Sequence, residues 1–276
     1  YTLHTDAYEL TMMQTYWQEG IADRKAVFEV FFREMPFDNG YAIYAGLDHL
    51  IQYIQNLHFS STDIDYLRTT DMFDAKFLDY LATFKFQGNV RSMVEGEIVF
   101  NHEPLIQIEG NLLECQLVET AILNIINFQI MVATKAARIK SVVGDQAVME
   151  FGSRRAQEFD AALWGTRAAY VGGFDATSNV RAGKLFGIPI SGTHAHSLVQ
   201  TYRNDYDAFK AYAQTHRDCV FLVDTYDTLK SGVPSAIKVA DEFGDQINFI
   251  GIRIDSGDMA YLSKQARKML DEAGYP

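Results

Sequence analysis

The sequence predicts an α/β fold: an irregular, incomplete α/β barrel of parallel strands that follows a smaller N-terminal α+β domain. Three observations predict it. After about residue 113, short apolar runs alternate with helical patterns, almost every run is followed by ionisable residues, and the first hundred residues lack this rhythm. Alternation of strand and helix gives right-handed βα units and parallel strands. We therefore assign the N-terminal domain to 1–112 and the barrel domain to 113–276.

Composition narrows the class of protein. A chain of 276 residues, 48% of them hydrophobic, is long enough for one large domain or two ordinary ones. A net charge of −12 argues against a nucleic-acid or anionic-membrane surface. Cys115 and Cys219 lie far apart beside apolar runs, which predicts buried thiols rather than a disulfide.

The longest apolar stretch, 120–134, is shorter than the roughly 20 residues that a membrane span needs. No signal-peptide pattern opens the chain, and we expect a cytoplasmic protein.

The N-terminal elements follow from local patterns. Helical spacing predicts a helix over 6–19, with Asp6 as its N-cap and Gly20 as its stop. Alternation predicts a strand within 25–34, and a second helix is expected over 44–57. From 88 to 110 short β segments separated by turn residues predict an antiparallel sheet.

The C-terminal elements begin with one long helix over 114–142. Strands are predicted at 147–151, 188–190, 220–223 and 249–254, with a further short strand before Asp175. Helices are predicted at 156–170, 179–186, 206–216, 235–243 and 259–273. Five such units are too few for an eight-stranded barrel. We therefore expect the strand that follows 259–273 to lie beyond residue 276.

The carboxyl ends of parallel strands share one face, and α/β folds gather their chemistry there. In this chain that face is predicted to present Arg154, Arg155, Asp175, His194, His196, Asp224, Arg253, Asp255 and Asp258. Each of these side chains taken singly is better explained as a loop charge or a helix cap. Ionisable groups at all five strand ends favour one shared site.

These residue types suit an anionic substrate and a reactive imidazole. Arg154 and Arg253 carry planar forks that bind carboxylates and phosphates. Asp255 lies in an Asp-Ser-Gly turn before a helix, which predicts either an oxygen-binding turn or a plain N-cap. Asp224 either orients an imidazole or caps a helix. His196 is the sharpest candidate, since a carboxylate-held imidazole acts as base or nucleophile and can carry a phosphoryl group.

Two other classes of protein remain open at this point. His194-x-His196 after a strand, with Asp255, matches the ligands of a metal-dependent barrel hydrolase. The other histidines lie at no predicted strand end, which argues against that class, and we assign no metal ligand. A catalytically inactive binding module is the other alternative.

Six motifs resemble those of the nicotinate phosphoribosyltransferase family and together cover nearly the whole chain in order. They are Thr5-Asp6-Ala7-Tyr8, Glu150-Phe151-Gly152-Ser153-Arg154-Arg155, Gly172-Gly173-Phe174-Asp175, Gly192-Thr193-His194-Ala195-His196-Ser197, Leu222-Val223-Asp224-Thr225-Tyr226 and Gly251-Ile252-Arg253-Ile254-Asp255-Ser256-Gly257-Asp258.

The resemblance implies a type II phosphoribosyltransferase, a cytoplasmic homodimer with shared active sites. The implied reaction joins nicotinate to 5-phosphoribosyl 1-pyrophosphate, giving nicotinate mononucleotide and pyrophosphate in NAD salvage. ATP is a co-substrate whose hydrolysis is coupled to this reaction, and Mg²⁺ neutralises the departing pyrophosphate. Spacing alone does not separate nicotinate from nicotinamide.

The resemblance also implies roles for individual residues. His196 is the phosphorylated histidine and Asp224 orients it, while Asp255 lies near the ribose and phosphate groups. The implied substrate contacts are Tyr8 (reaching into the other subunit), Thr193 and Arg253, with Phe151 and Arg154 beside them. Asp175 is added to the predicted substrate contacts by its expected place at a strand end. The family continues beyond this endpoint with glycine-rich loops that bind the 5′-phosphate and complete the barrel.

Overall fold

A computed structural model describes residues 2–275, and the chain forms two compact units, Tyr1–Ser191 and Gly192–Pro276. The predicted domain boundary after residue 112 does not coincide with the division between these units and stays a prediction. The described residues form a mixed α/β structure, and no closed sheet is found among them.

The first unit contains eight α-helices among its described residues. They are α1 (Ala7–Gln18), α2 (Leu47–Gln55), α3 (Ser61–Thr69), α4 (Ala75–Leu81), α5 (Leu112–Leu117), α6 (Glu119–Val143), α7 (Glu158–Val171) and α8 (Val180–Phe186). The single helix predicted over 114–142 is therefore two helices. A capping box between Asn111 and Glu114 starts the first of them because each side chain accepts the other residue's backbone N–H.

Seven strands complete the first unit: β1 (Lys25–Val30), β2 (Ala42–Ile43), β3 (Asn89–Ser92), β4 (Ile98–Val99), β5 (Ile106–Asn111), β6 (Met149–Glu150) and β7 (Ala176–Thr177). The order β1-β5-β3 is antiparallel throughout, which confirms the antiparallel sheet predicted for this region. β6 and β7 pair in parallel, and Thr177 makes one further parallel bridge to Ile190. That bridge is all that forms of the strand predicted at 188–190.

The long helix α6 is the core helix of the first unit. Its length and composition alone would allow it to cross a bilayer, but half of its most apolar window is buried inside the protein. Ile122, Ile126, Ile130 and Ala133 form the buried stripe, and the helix packs on α2, α7 and β2. The burial pattern is that of a core helix.

A partly buried ion pair holds α7 to the amino end of α2. Arg167 donates to both oxygens of Glu95, at 2.8 and 2.6 Å, and Glu95 also accepts the N–H groups of Gly46 and Leu47. The guanidinium and these N–H groups hold the pKa of Glu95 below its usual range although burial acts in the opposite direction. Negative charge at a helix amino end is also favoured by the helix dipole.

The second unit alternates strand and helix, as predicted. Its elements are α9 (His196–Thr201), α10 (Asp205–Ala213), β8 (Asp218–Leu222), α11 (Val233–Phe243), β9 (Asn248–Arg253) and α12 (Met259–Glu272). β8 and β9 are parallel, with Leu222 opposite Arg253. Phe209, Phe221, Val233 and Val239 are fully buried between the strands and helices and form the centre of its core.

Candidate active site

In the second unit, two parallel strands bring predicted site residues to one edge. Arg253 is the last residue of β9, and Asp224 lies two residues beyond β8. The Val223 N–H donates to the Arg253 carbonyl at 3.1 Å, so strand pairing continues up to Asp224. Parallel pairing therefore places Asp224, Arg253 and Asp255 at the carboxyl edge of this sheet, as the sequence predicted.

His196, the first residue of α9, pairs with Asp224. Its Nε2 lies 3.2 Å from one carboxylate oxygen, Oδ1. The other oxygen, Oδ2, accepts the Ser256 hydroxyl at 2.6 Å and the Asp255 N–H at 2.9 Å. The Asp224 side chain is only 2% exposed, whereas that of His196 is 37% exposed. A partly exposed imidazole is thus held by a buried carboxylate whose two oxygens both accept hydrogen bonds.

Asp224 stays ionised in this environment. Burial acts to raise its pKa, but the Ser256 hydroxyl, the Asp255 N–H and the nearby His196 outweigh it and hold the pKa below its ordinary value. An ionised carboxylate only accepts hydrogen bonds, so the imidazole donates through its Nε2–H. In the neutral ring, Nδ1 then carries the free lone pair.

Arg253 bridges the same edge. Its Nη1 donates to Asp255 at 3.0 Å, and its Nη2 donates to the His194 carbonyl at 3.3 Å. Its Nε is buried, and it has no hydrogen-bond partner among residues 2–275. These bonds use two of the five guanidinium N–H groups, so the fork keeps donors for a further anion, the chemistry predicted for it.

The turn after β9 holds Asp224 and caps α12. The Asp255 N–H and the Ser256 hydroxyl point to Asp224, and Asp258 caps α12 by accepting the Tyr261 N–H at 3.0 Å. Ser256 was missed as a site residue. The sequence does show its hydroxyl in the Asp-Ser-Gly turn, but not that this hydroxyl lies against the carboxylate at the end of β8.

His194 belongs to the core of the second unit. Its side chain packs against the rings of Phe209, Tyr212 and Phe221, and its Nε2 accepts the Leu222 N–H at 3.2 Å. Burial lowers its pKa, which keeps the ring neutral.

The metal-hydrolase alternative fails on this geometry. It needs His194 and His196 as joint ligands, yet the lone pair of His194 Nε2 is engaged by the backbone. Across the part of the chain that the structure describes, no three His, Cys, Asp or Glu side chains are placed to hold a metal ion.

Thr193 lies directly before these two histidines. It is half-buried, and its hydroxyl donates to the His194 carbonyl at 3.3 Å. Its contact with nicotinate stays a prediction.

Two predicted substrate contacts, Phe151 and Arg154, follow β6 in the first unit. Phe151 is half-buried and Arg154 is exposed on a short 3₁₀ turn, Ser153–Arg155. Within the described part of this unit, Arg154 makes no ion pair, so its fork stays available to an anion. Tyr8 lies in the first turn of α1 and is 50% exposed. The roles of these three residues stay predictions.

Asp175 is a correction. The sequence placed it at the carboxyl end of a strand, but the strand follows it: β7 is Ala176–Thr177. Its carboxylate accepts Lys140 Nζ at 2.8 Å and the Val148 N–H at 2.7 Å, at the amino ends of β6 and β7. These bonds hold its pKa below the usual range. Asp175 therefore joins α6 to this pair of strands. Its placement at the carboxyl end of a strand was wrong, and its contact with the substrate stays a prediction.

Family models match the chain in two consecutive parts. The N-terminal domain of nicotinate phosphoribosyltransferase matches residues 3–127, and the nicotinate phosphoribosyltransferase family matches residues 146–273. Together they extend over nearly the whole chain.

Individual relatives agree with the family models. The chain is 62% identical to the nicotinate phosphoribosyltransferase of Bacillus subtilis, covering 99% of this chain and 56% of that protein. It is 42% identical to one from Mycobacterium tuberculosis, covering 99% of this chain and 58% of the relative. The chain thus spans little more than half the length of these relatives.

A solved structure agrees as well. The crystal structure of human nicotinic acid phosphoribosyltransferase is 31% identical, with a TM-score of 0.89, covering 99% of this chain and 66% of that one. The chain belongs to the nicotinate phosphoribosyltransferase family.

Proposed function

We propose that this chain carries catalytic residues of a nicotinate phosphoribosyltransferase that acts in NAD salvage. The reaction joins nicotinate to 5-phosphoribosyl 1-pyrophosphate and releases nicotinate mononucleotide and pyrophosphate, coupled to ATP hydrolysis. One observation carries the proposal: in a member of this family, His196, Asp224, Arg253 and Asp255 share the carboxyl edge of β8 and β9.

His196 is the proposed phosphate carrier. Its Nδ1 lone pair attacks the γ-phosphorus of ATP, an N–P bond forms, and ADP leaves with the bridging oxygen. Water later cleaves the N–P bond and releases phosphate. Asp224 remains ionised throughout, orienting the ring and balancing its positive charge. A phosphoryl group on His196 adds negative charge beside the site and so changes substrate affinity, which links ATP hydrolysis to product formation.

Arg253 and Asp255 serve the transfer itself. The guanidinium binds the nicotinate carboxylate and directs the ring nitrogen toward the anomeric carbon. That nitrogen forms the new C–N bond while the C–O bond to pyrophosphate breaks. Positive charge builds on the ribose ring during this step, and the Asp255 carboxylate stabilises it.

Magnesium enters this reaction with the substrate. No cluster of three metal-binding side chains occurs among residues 2–275. The ion would take most of its ligands from the diphosphate and water, and Asp255 is the carboxylate proposed to lie beside these groups.

Three further properties belong to the proposal. The strands of an irregular α/β barrel would pair in parallel, as β6 with β7 and β8 with β9 do. A homodimer would let the exposed Tyr8 reach a second active site. The expected compartment is the cytoplasm.

The decisive experiment is a turnover assay on the complete protein. We expect nicotinate mononucleotide and pyrophosphate from nicotinate and 5-phosphoribosyl 1-pyrophosphate, and faster formation when ATP is present. Nicotinamide, assayed in parallel, is expected to be a poor substrate. Absence of mononucleotide under every combination would contradict the proposal.

Arg253→Lys tests whether Arg253 binds the carboxylate of nicotinate. A lysine cannot form the two-pronged contact, so we expect the KM for nicotinate to rise about tenfold or more. Inhibition by uncharged nicotinamide should change little. Arg68→Lys, in an exposed pair with Asp65, is the matched control. Equal losses for the acid and the amide would remove Arg253 from this role.

A further inference from the structure

A single carboxylate, Glu150, lies at the centre of a hydrogen-bond cluster in the first unit. Glu150 is the last residue of β6. One of its oxygens accepts the Gly152 N–H, and the other accepts the hydroxyls of Thr166 and Thr177 at 2.8 and 2.9 Å. Both threonines are buried, at 2% and 0% exposure. The three donors come from three different segments: the loop after β6, helix α7 and strand β7.

This cluster fixes the loops that leave both strands. The Gly152 contact anchors the loop of residues 151–155, which carries Phe151 and Arg154. The Thr177 hydroxyl also accepts the Asn179 N–H at 3.0 Å, at the turn after β7. The Ser178 N–H donates to the Glu150 carbonyl at 3.0 Å. One side chain thus organises the carboxyl ends of β6 and β7.

The absence of a side chain at Gly152 leaves room for the Glu150 carboxylate. A Cβ at this position would lie 2.6 Å from Oε1 of Glu150, closer than real Cβ atoms approach. The backbone of Gly152 has φ −90° and ψ −5°, which other residues can also adopt. A side chain at this position would have to displace the carboxylate, so the small residue is favoured by the close approach of Glu150 rather than by the backbone conformation.

We propose that Glu150 is a positioning residue for the aromatic acid substrate: it holds the loop of residues 151–155 so that Phe151 and Arg154 meet the pyridine ring and its negative charge. The inference rests on the proposed function, which supplies nicotinate as the substrate. Glu150 itself does not contact the substrate in this scheme.

The donors and acceptors around Glu150 predict which substitution preserves its positioning role. In Glu150→Gln, the amide oxygen can accept the Gly152 N–H, and the NH₂ group can donate to the threonine hydroxyls. Those hydroxyls have alternative acceptors, since Thr166 also bonds the Ala162 carbonyl at 2.9 Å and Thr177 the Glu150 carbonyl at 3.2 Å. Glu150→Ala loses all three side-chain contacts, to Gly152, Thr166 and Thr177. Gly152→Ala keeps the carboxylate but pushes it away from the loop.

The test compares these three variants of the complete protein with Glu103→Ala, a change at an exposed glutamate of the same unit. For Glu150→Ala and Gly152→Ala, we expect the KM for nicotinate to rise about tenfold or more with a much smaller change in kcat. Hydrogen exchange of residues 151–155 should accelerate in both. Glu150→Gln and Glu103→Ala should stay near wild type in KM and in exchange. Phosphate labelling of His196 by ATP should persist in all four.

Three results would overturn the inference. An unchanged KM in Glu150→Ala would leave the residue with a structural role alone. Equal damage from glutamine and alanine would mean that the charge acts directly. Unchanged exchange of residues 151–155 would show that the loop does not depend on the carboxylate. If the wild-type protein converts no nicotinate, the proposed function fails, and the exchange measurement still decides whether Glu150 holds the loop.

Discussion

At the scale of single residues, Asp224 determines which imidazole nitrogen of His196 is free to react. The carboxylate takes Nε2, so Nδ1 faces away from it with its lone pair. We predict that ATP labels His196 and that the phosphate resides on Nδ1. Phosphorus NMR and mass spectrometry of the labelled peptide check this assignment.

A matched pair of variants controls the labelling. His196→Ala should abolish acid-labile phosphate and loosen the coupling of ATP to product. His58→Ala, at an exposed histidine, should leave both unchanged. Phosphate on Nε2, or full labelling of His196→Ala, would contradict the assignment.

Asp224 also links the site to pH. Its pKa is lowered in the folded protein, so its stabilising effect is complete above the pKa of the unfolded chain, about 4. That effect is lost as the pH falls through the lower, folded value. We predict that Asp224→Asn reduces the free energy of unfolding by about 1–3 kcal/mol at pH 7. Denaturant titrations should give a clear difference at pH 7 and a smaller one below pH 4. A difference that stayed the same below pH 4 would assign the effect to another group.

At the scale of elements, the approach of helix α11 to strand β8 depends on Gly232. A Cβ on this residue would overlap the carbonyl of Val223, the residue before Asp224. We predict that Gly232→Ala destabilises the protein by about 2 kcal/mol or more and weakens catalysis. Denaturant unfolding and the turnover assay measure the two effects. Gly40→Ala is the control, since no atom of residues 2–275 lies within 4 Å of its added Cβ. Similar losses for both glycines would contradict this account.

The elements also explain why some predictions succeeded and others failed. β8 and β9 are long and largely apolar, so their pattern revealed them and placed Asp224 and Arg253 at one edge. β6 and β7 have two residues each, and two residues carry no periodicity. The side on which Asp175 lies was therefore predicted wrongly. The contacts of Ser256 and Glu150 depend on tertiary packing, which no local pattern reports.

At the scale of the whole molecule, the reactivity of the two cysteines tests whether the cores around them are closely packed. Cys115 and Cys219 are free and buried, and burial raises the pKa of both thiols. We predict that neither reacts with a thiol reagent in the native protein at pH 7–8, because protonated, inaccessible thiols are poor nucleophiles. Both should react after denaturation, which is the internal control. Rapid labelling of either thiol in the native state would contradict the packing of its core.

The ion pair between Arg253 and Asp255 has a consequence for ligand choice. Before any ligand arrives, the cationic fork is already neutralised by a neighbour from its own turn. In the proposed reaction, an incoming acid would compete with Asp255 for the guanidinium, and its binding would leave the Asp255 carboxylate beside the sugar. An incoming amide would carry no charge with which to displace it. Discrimination between the two vitamers would then arise from an exchange of counter-ions.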